Sequence, residues 1–140
     1  MSGEFIDTNV FVYLFDETDV HKRNTAERLV RMALETRNAC ISYQVVQETL
    51  NVVMRKLPSP MSTENAQRFL EQILAPLWQI MPSLALYRRG LDLQTRYGFS
   101  FYDSLIVAAA LESGCTRLYT EDLQHGQRID GLTIENPFND

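Results

Sequence analysis

Four carboxylates stand at places in the chain from which acids can meet: Asp7, Glu48, Asp103 and Asp122. Each also has an ordinary explanation. Asp7 closes a short apolar strand and precedes a helix, where an Asp accepts backbone N–H bonds as an N-cap; Thr8 could cap there equally well. Glu48 falls roughly opposite the apolar stripe of Val46, Leu50, Val53 and Leu57 on a helical wheel, the place of a solvated surface acid. Asp103 lies in the first turn of the most hydrophobic helix, three residues after Ser100, and could complete a capping box and answer the helix dipole. That box prefers the longer Glu or Gln, and the neighbours Phe99, Phe101 and Tyr102 suggest partial burial, which is costly for an unpaired carboxylate. Asp122 follows a strand and could shape a turn. Glu121 is beside it, and two adjacent acids cannot both point into one site. Taken together, the four imply a cation, because clustered carboxylates raise one another's pKa unless a counter-charge is present. Mg²⁺ binds through a few carboxylates while keeping waters. Beside a phosphodiester it would polarise the phosphoryl oxygen and lower the pKa of an attacking water.

The elements that must position these acids alternate between strand and helix. Glu4 to Asp7 reads as a strand, and Thr8 to Phe15 as a helix leaving it directly. His21 to Thr36 is an amphipathic helix with Ala26, Leu29, Val30, Ala33 and Leu34 at helical spacing. Ala39 to Ser42 is a second strand, and Ser42 caps a helix to about Lys56. The turn Leu57-Pro58-Ser59-Pro60 separates it from a helix capped by Ser62. Leu77 to Met81 is a third strand. Ser83 to Tyr97 is helical and stops at Gly98. Ser100 caps a helix from Phe101 to about Ser113 that is apolar almost all round, the mark of a buried helix. Thr116 to Thr120 and Leu132 to Glu135 complete five strands. Short apolar strands alternating with helices predict a mostly parallel sheet covered on both faces. In such sheets the chemistry lies beyond the carboxyl ends of the strands, which marks Asp7, the start of the helix after Ser42, and Thr120-Glu121-Asp122.

The bulk properties restrict the function class. At 140 residues the chain is expected to form one domain over 1–140. No apolar run of about 18 residues is present, so no membrane span is expected. Met1-Ser2-Gly3-Glu4 lacks the basic start of a signal peptide. Cys40 and Cys115 fit no Cys-x-x-Cys spacing and are expected to be buried free thiols in a reducing cytoplasm. A net charge of −5 argues against a generally basic nucleic-acid-binding surface. Eleven of the thirteen basic residues are Arg, which suits bidentate phosphate contacts and ion pairs alike.

The order of motifs resembles a known family. Phe5-Ile6-Asp7-Thr8-Asn9-Val10 resembles the opening of the PIN domain, especially that of the bacterial VapC-type toxins. Ile41 to Glu48, Phe101 to Ala110 and Leu118 to Gly126 resemble its second, third and fourth acidic elements, in the family's order and spacing. The resemblance implies a three-layer α/β/α fold with five strands in the order 3-2-1-4-5. It implies cleavage of RNA with Mg²⁺ or Mn²⁺, Asp7 and Asp103 as main metal ligands, Glu48 and Asp122 completing the site, and Asn9 and Thr120 orienting the carboxylates. It further implies a homodimer, and for toxin members an antitoxin whose C-terminal segment lies in the active-site groove. The fourth element offers Glu121 beside Asp122, and the family's Thr-x-Asp spacing favours Asp122. With an acidic chain, RNA contact would depend on local bases, of which Arg88, Arg89, Arg96, Arg55 and Lys56 are candidates. His125, in a Gly-flanked turn, is expected at the surface, and Trp78 in the core. Two other readings compete. One is a PIN-fold scaffold or RNA-binding module with a weak or dead site. The other is a Mg²⁺-dependent phosphotransfer domain with Asp7 as nucleophile, disfavoured because the only lysines, Lys22 and Lys56, are both placed in helices rather than after a later strand.

Overall fold

The computed structural model describes residues 3–139. Its strands are β1 (Glu4–Ile6), β2 (Ala39–Ser42), β3 (Trp78–Ile80), β4 (Arg117–Tyr119), β5 (Arg128–Ile129) and β6 (Leu132–Glu135). Its α-helices are α1 (Thr8–Tyr13), α2 (Val20–Thr36), α3 (Tyr43–Arg55), α4 (Thr63–Phe69), α5 (Ala75–Leu77), α6 (Leu84–Tyr97) and α7 (Phe101–Glu112). A π-helical turn, Leu70–Leu74, joins α4 to α5. The sheet runs β3-β2-β1-β4-β6-β5, parallel throughout except for the antiparallel β5–β6 pair. The five expected strands therefore appear in the expected order, and helices cover both faces. The sixth strand, β5, is only two residues long and pairs Arg128 with Thr133 and Ile129 with Leu132. A strand of two residues is too short to show the alternation by which strands are read.

This topology decides where the acids meet. β1 is central, with β2 on one side and β4 on the other. The chain leaves β1 toward β2 in one direction and reaches β4 in the other, so the strand order reverses at the carboxyl end of β1. That is the crevice where open parallel sheets place their chemistry. Phe5, Ile6, Cys40, Ile41, Leu118 and Ile134 are buried along these strands, as expected of a sheet covered on both sides. The helix starts are set by the predicted caps: Ser42, Ser62, Ser83 and Ser100 each accept a backbone N–H three residues on. Gly98 ends α6 at φ 73°, a left-handed conformation that costs a glycine little. Helix α7 is buried from Ser104 through Ala110 and packs on α6 and across β2 and β4, which holds its first turn at the strand ends.

Cys40 and Cys115 are buried and unbridged, with their sulfurs 3.7 Å apart. Trp78 is half-buried against the core and donates its indole N–H to the Ile80 carbonyl, 3.2 Å away. His125 is exposed, and its Nδ1 accepts the Asn136 N–H at 3.0 Å, which ties the turn to the chain after β6. No helix among the described residues is long and apolar enough to cross a membrane.

Among the described residues one buried side-chain polar atom is unsatisfied. The Thr49 hydroxyl, on the fully buried face of α3 one residue after Glu48, has no hydrogen-bond partner. A buried hydroxyl without a partner costs stability that an isosteric methyl does not. Thr49→Val is expected to raise the unfolding free energy by about 1 kcal/mol, read from the midpoint of urea denaturation at unchanged slope.

Candidate active site

Asp7 enters the site as the last residue of the central strand path. Its backbone N–H donates to the Tyr119 carbonyl at 3.0 Å, which extends the β1–β4 ladder by one step and fixes the Cα. It is the N-cap of α1, and its Oδ1 accepts the Thr8 N–H at 2.7 Å. The capping role foreseen for it is therefore real, but it uses only one carboxylate oxygen. The other, Oδ2, accepts the Thr120 hydroxyl at 2.8 Å. Asp7 is 4% exposed. Its carboxyl is pushed up to about 7: burial raises it most, the hydrogen bonds from Thr120 and Thr8 oppose the rise, and the charges of Asp122 and Glu48 add to it.

Thr120 and Asn9 link Asp7 to Asp122. The Thr120 hydroxyl accepts the Asp122 N–H at 3.1 Å while donating to Asp7. Asn9, on α1, donates its amide to Asp122 Oδ2 at 3.1 Å and to the Thr120 hydroxyl at 3.4 Å, and accepts the Glu121 N–H at 3.4 Å. Asp122 lies on the exposed rim. Partial desolvation raises its pKa, the charges of Asp103, Glu121 and Glu48 add to the rise, and the Asn9 hydrogen bond opposes it.

Glu48 arrives from α3. Its Oε1 accepts the Thr8 hydroxyl at 2.8 Å and its Oε2 accepts the Gln44 amide at 3.1 Å. Gln44, one helical turn earlier, also donates to the Tyr102 carbonyl at 3.2 Å and so ties α3 to the start of α7. Asp103 is half-buried in that first turn, with its N–H capped by Ser100 Oγ at 3.2 Å. Among the described residues nothing hydrogen-bonds or ion-pairs with the Asp103 carboxylate. Thr8 and Gln44 are positioning side chains that the sequence reading missed. The contact of Thr8 with Glu48 spans forty residues and leaves no mark in local spacing, whereas Gln44 at i−4 from Glu48 is a pairing that helix geometry does predict.

Asp7, Glu48, Asp103 and Asp122 all line one groove of about 470 Å³, together with Asn9, Gln44 and Lys56. Glu121 lies on its wall but turns its carboxylate to Tyr13 and Lys22. Of the candidate bases, Lys56 lines the groove. Arg89 pairs with Glu112 and Arg96 with Asp92 and Asp130, so both are committed to surface ion pairs. The donor set suits a hard divalent cation. It is all oxygen, its deepest member is desolvated, and its members raise one another's pKa. As placed, no three His, Cys, Asp or Glu side chains among the described residues converge closely enough to hold an ion directly between them. A cation that keeps most of its waters needs only one or two direct carboxylates and meets the others through water.

Comparison with known proteins bears on the family and the fold. The sequence model of the PIN domain matches residues 5–130. No curated protein matches the chain. Solved structures do. A toxin–antitoxin complex from Klebsiella pneumoniae is 20% identical with a TM-score of 0.68, covering 96% of this chain and 98% of that one. The DNA-bound VapBC of Salmonella typhimurium is 22% identical with a TM-score of 0.67 and the same coverage, 96% and 98%. VapC20 of Mycobacterium tuberculosis, described as a toxin that cleaves the sarcin–ricin loop, is 19% identical with a TM-score of 0.61, covering 86% and 90%. At these identities the likeness is one of fold.

The raised pKa of Asp7 has a consequence for stability. A carboxyl at about 7 when folded and near 3.8 when unfolded keeps its proton in the folded state between those values while the unfolded chain has released its own. Stability contributed by the protonated group is therefore complete below about pH 4 and is lost as pH rises through 7. Metal-free Asp7→Asn protein is expected to lack this component. It should gain on wild type between pH 4 and pH 8, by on the order of 4 kcal/mol at the upper limit, in denaturation curves measured across that range in chelator.

Proposed function

The chain belongs to the PIN-domain family, and from that premise we propose that it is a metal-dependent endoribonuclease, the toxin of a toxin–antitoxin pair, working as one nuclease unit over residues 1–140. The observation that carries this reading is the groove itself. Four acids from four separate stretches of chain line it, and the deepest, Asp7, is buried and held by Thr120 and the α1 N-terminus. A carboxylate with its pKa raised by burial and, to a smaller extent, by neighbouring acids makes sense where a cation neutralises the group.

In this reading Asp7 and Asp103 hold Mg²⁺ or Mn²⁺, and Glu48 and Asp122 complete the site. Bound there, the ion would polarise the scissile phosphate and lower the pKa of an attacking water. The chain's own residues supply orientation. Thr120 aims Asp7 from one side and the α1 N-terminus from the other; Asn9 aims Asp122; Thr8 and Gln44 aim Glu48. Asp103, whose carboxylate has no hydrogen-bond partner among the described residues, is the acid able to turn toward an arriving ion. Lys56, at the end of α3, is the cation in the groove for a phosphate of the RNA.

The neighbouring surface supports the partners of this reading. Beyond Val12 and Tyr13 the acid groove runs into a second, largely apolar one lined by Leu14, Phe15, Leu57 and Met61. An antitoxin segment with apolar side chains there and a basic one reaching the acids suits this channel. Copies of the chain can pair through exposed apolar surface: Met81, Leu84, Tyr87 and Leu91 lie exposed, as do Phe101 and Tyr102.

Purified protein is expected to cleave RNA with Mg²⁺ or Mn²⁺ and to stop in excess chelator. Asp7→Asn and Asp103→Asn should each reduce the rate by more than the roughly 10- to 100-fold that loss of an outer-shell partner costs. Cleavage that persists in chelator, or in both variants, would overturn the proposal.

A further inference from the structure

Glu121 and Asp122 are adjacent acids at the end of β4, and the structure separates them. Asp122 faces the acid groove, with Asn9 donating to it. Glu121 lies on the wall of the same groove, but its carboxylate is engaged by two other side chains. Its Oε1 accepts the Tyr13 hydroxyl and its Oε2 accepts Lys22 Nζ at 3.2 Å. Lys22 Nζ donates in addition to the Tyr13 hydroxyl at 3.0 Å, so the three side chains close a triangle. Each corner is anchored separately. Tyr13 ends α1 and packs edge-on against Phe138 at 4.7 Å between centroids. Lys22 is held in the first turn of α2 by Asp19, which accepts its N–H at 3.0 Å, and its ammonium lies 4.7 Å from the Tyr13 ring centroid. The Glu121 N–H is fixed by Asn9.

We propose that Tyr13 and Lys22 are positioning residues that keep the Glu121 carboxylate from joining the other acids of the groove, so that Asp122 alone of the adjacent pair serves the cation site. The inference rests on the nuclease reading of that groove. Four carboxylates already line the groove, and a fifth directed among them would draw a cation harder while repelling the phosphates that must approach it. Lys22 prevents this in two ways: it neutralises Glu121, and it fixes the rotamer. Surface ion pairs contribute little to stability, so the importance of this one lies in where it keeps a charge.

The test uses Lys22→Met, which keeps the apolar stem and removes the charge, alongside Glu121→Gln and the double variant. K22M is expected to cleave RNA roughly tenfold more slowly, while a titration with Mn²⁺ alone shows tighter binding. Glu121→Gln should behave as wild type, and K22M/E121Q should return both readings to the wild-type values. A merely structural role would weaken both together and would not be rescued at Glu121. Either result overturns the proposal, as does a crystal structure of K22M in which Glu121 still turns away from Asp122. If K22M does not fold, Tyr13→Phe removes the other partner and is read in the same way. If wild type cleaves no RNA, the nuclease reading falls, while the Mn²⁺ titration and the K22M crystal structure still decide the fate of the bracket.

Discussion

A single carboxylate buried at the carboxyl end of the central strand sets the terms for the rest of the site. Burying Asp7 is costly, and the fold offsets that cost with hydrogen bonds from β4 and from the α1 N-terminus. Both donors are fixed by backbone. Thr120 directly follows β4, and Thr8 begins the helix that Asp7 caps. The strand order makes this possible, because only the central strand has a neighbour on each side to contribute. Moving Asp7 by one residue would put it on the opposite face of the pleat and lose both donors.

This dependence explains why so much of the site was legible in the sequence. Asp7, Asp103 and the start of α3 are fixed by short-range rules: a strand end, a helix cap, a first turn. Ser42 and Ser100 announce the two helices that carry Glu48 and Asp103, and Gly98 closes the helix before the second of them. What was not legible depends on contacts between distant segments. The Thr8 bond to Glu48, the Tyr102 carbonyl that receives Gln44 and the Lys22–Glu121 pair join elements whose relative placement comes from packing, not from periodicity. The fold shows the same division. The five strands with an apolar run were readable, while β5 and the π-helical turn between α4 and α5 were not, since neither has a sequence signature longer than a turn.

The placement of the bases complements that of the acids. Arg89, Arg96 and Arg117 are committed to ion pairs on the surface, and no arginine is among the described lining residues of the groove. Lys22 is spent on Glu121. The groove wall is left with Lys56 as its one basic residue among the described lining residues, against the acids that dominate it.

Such a groove repels a phosphodiester until something positive enters it. At about 4 Å two unit charges at an effective dielectric of about 20 interact by roughly 4 kcal/mol, so several unneutralised carboxylates would oppose an RNA backbone far more strongly than one lysine could attract it. Under the proposed function, binding of a divalent cation and binding of RNA would be coupled, since the ion that neutralises the acids would also be the charge that admits the substrate. The same electrostatics make the groove receptive to a basic side chain delivered by a protein segment, with the apolar channel past Val12 and Tyr13 to anchor the rest of it. An inhibitor of that kind would need no special geometry at the acids. Under the proposed function, it would only have to bring a positive charge that stays where the cation would bind.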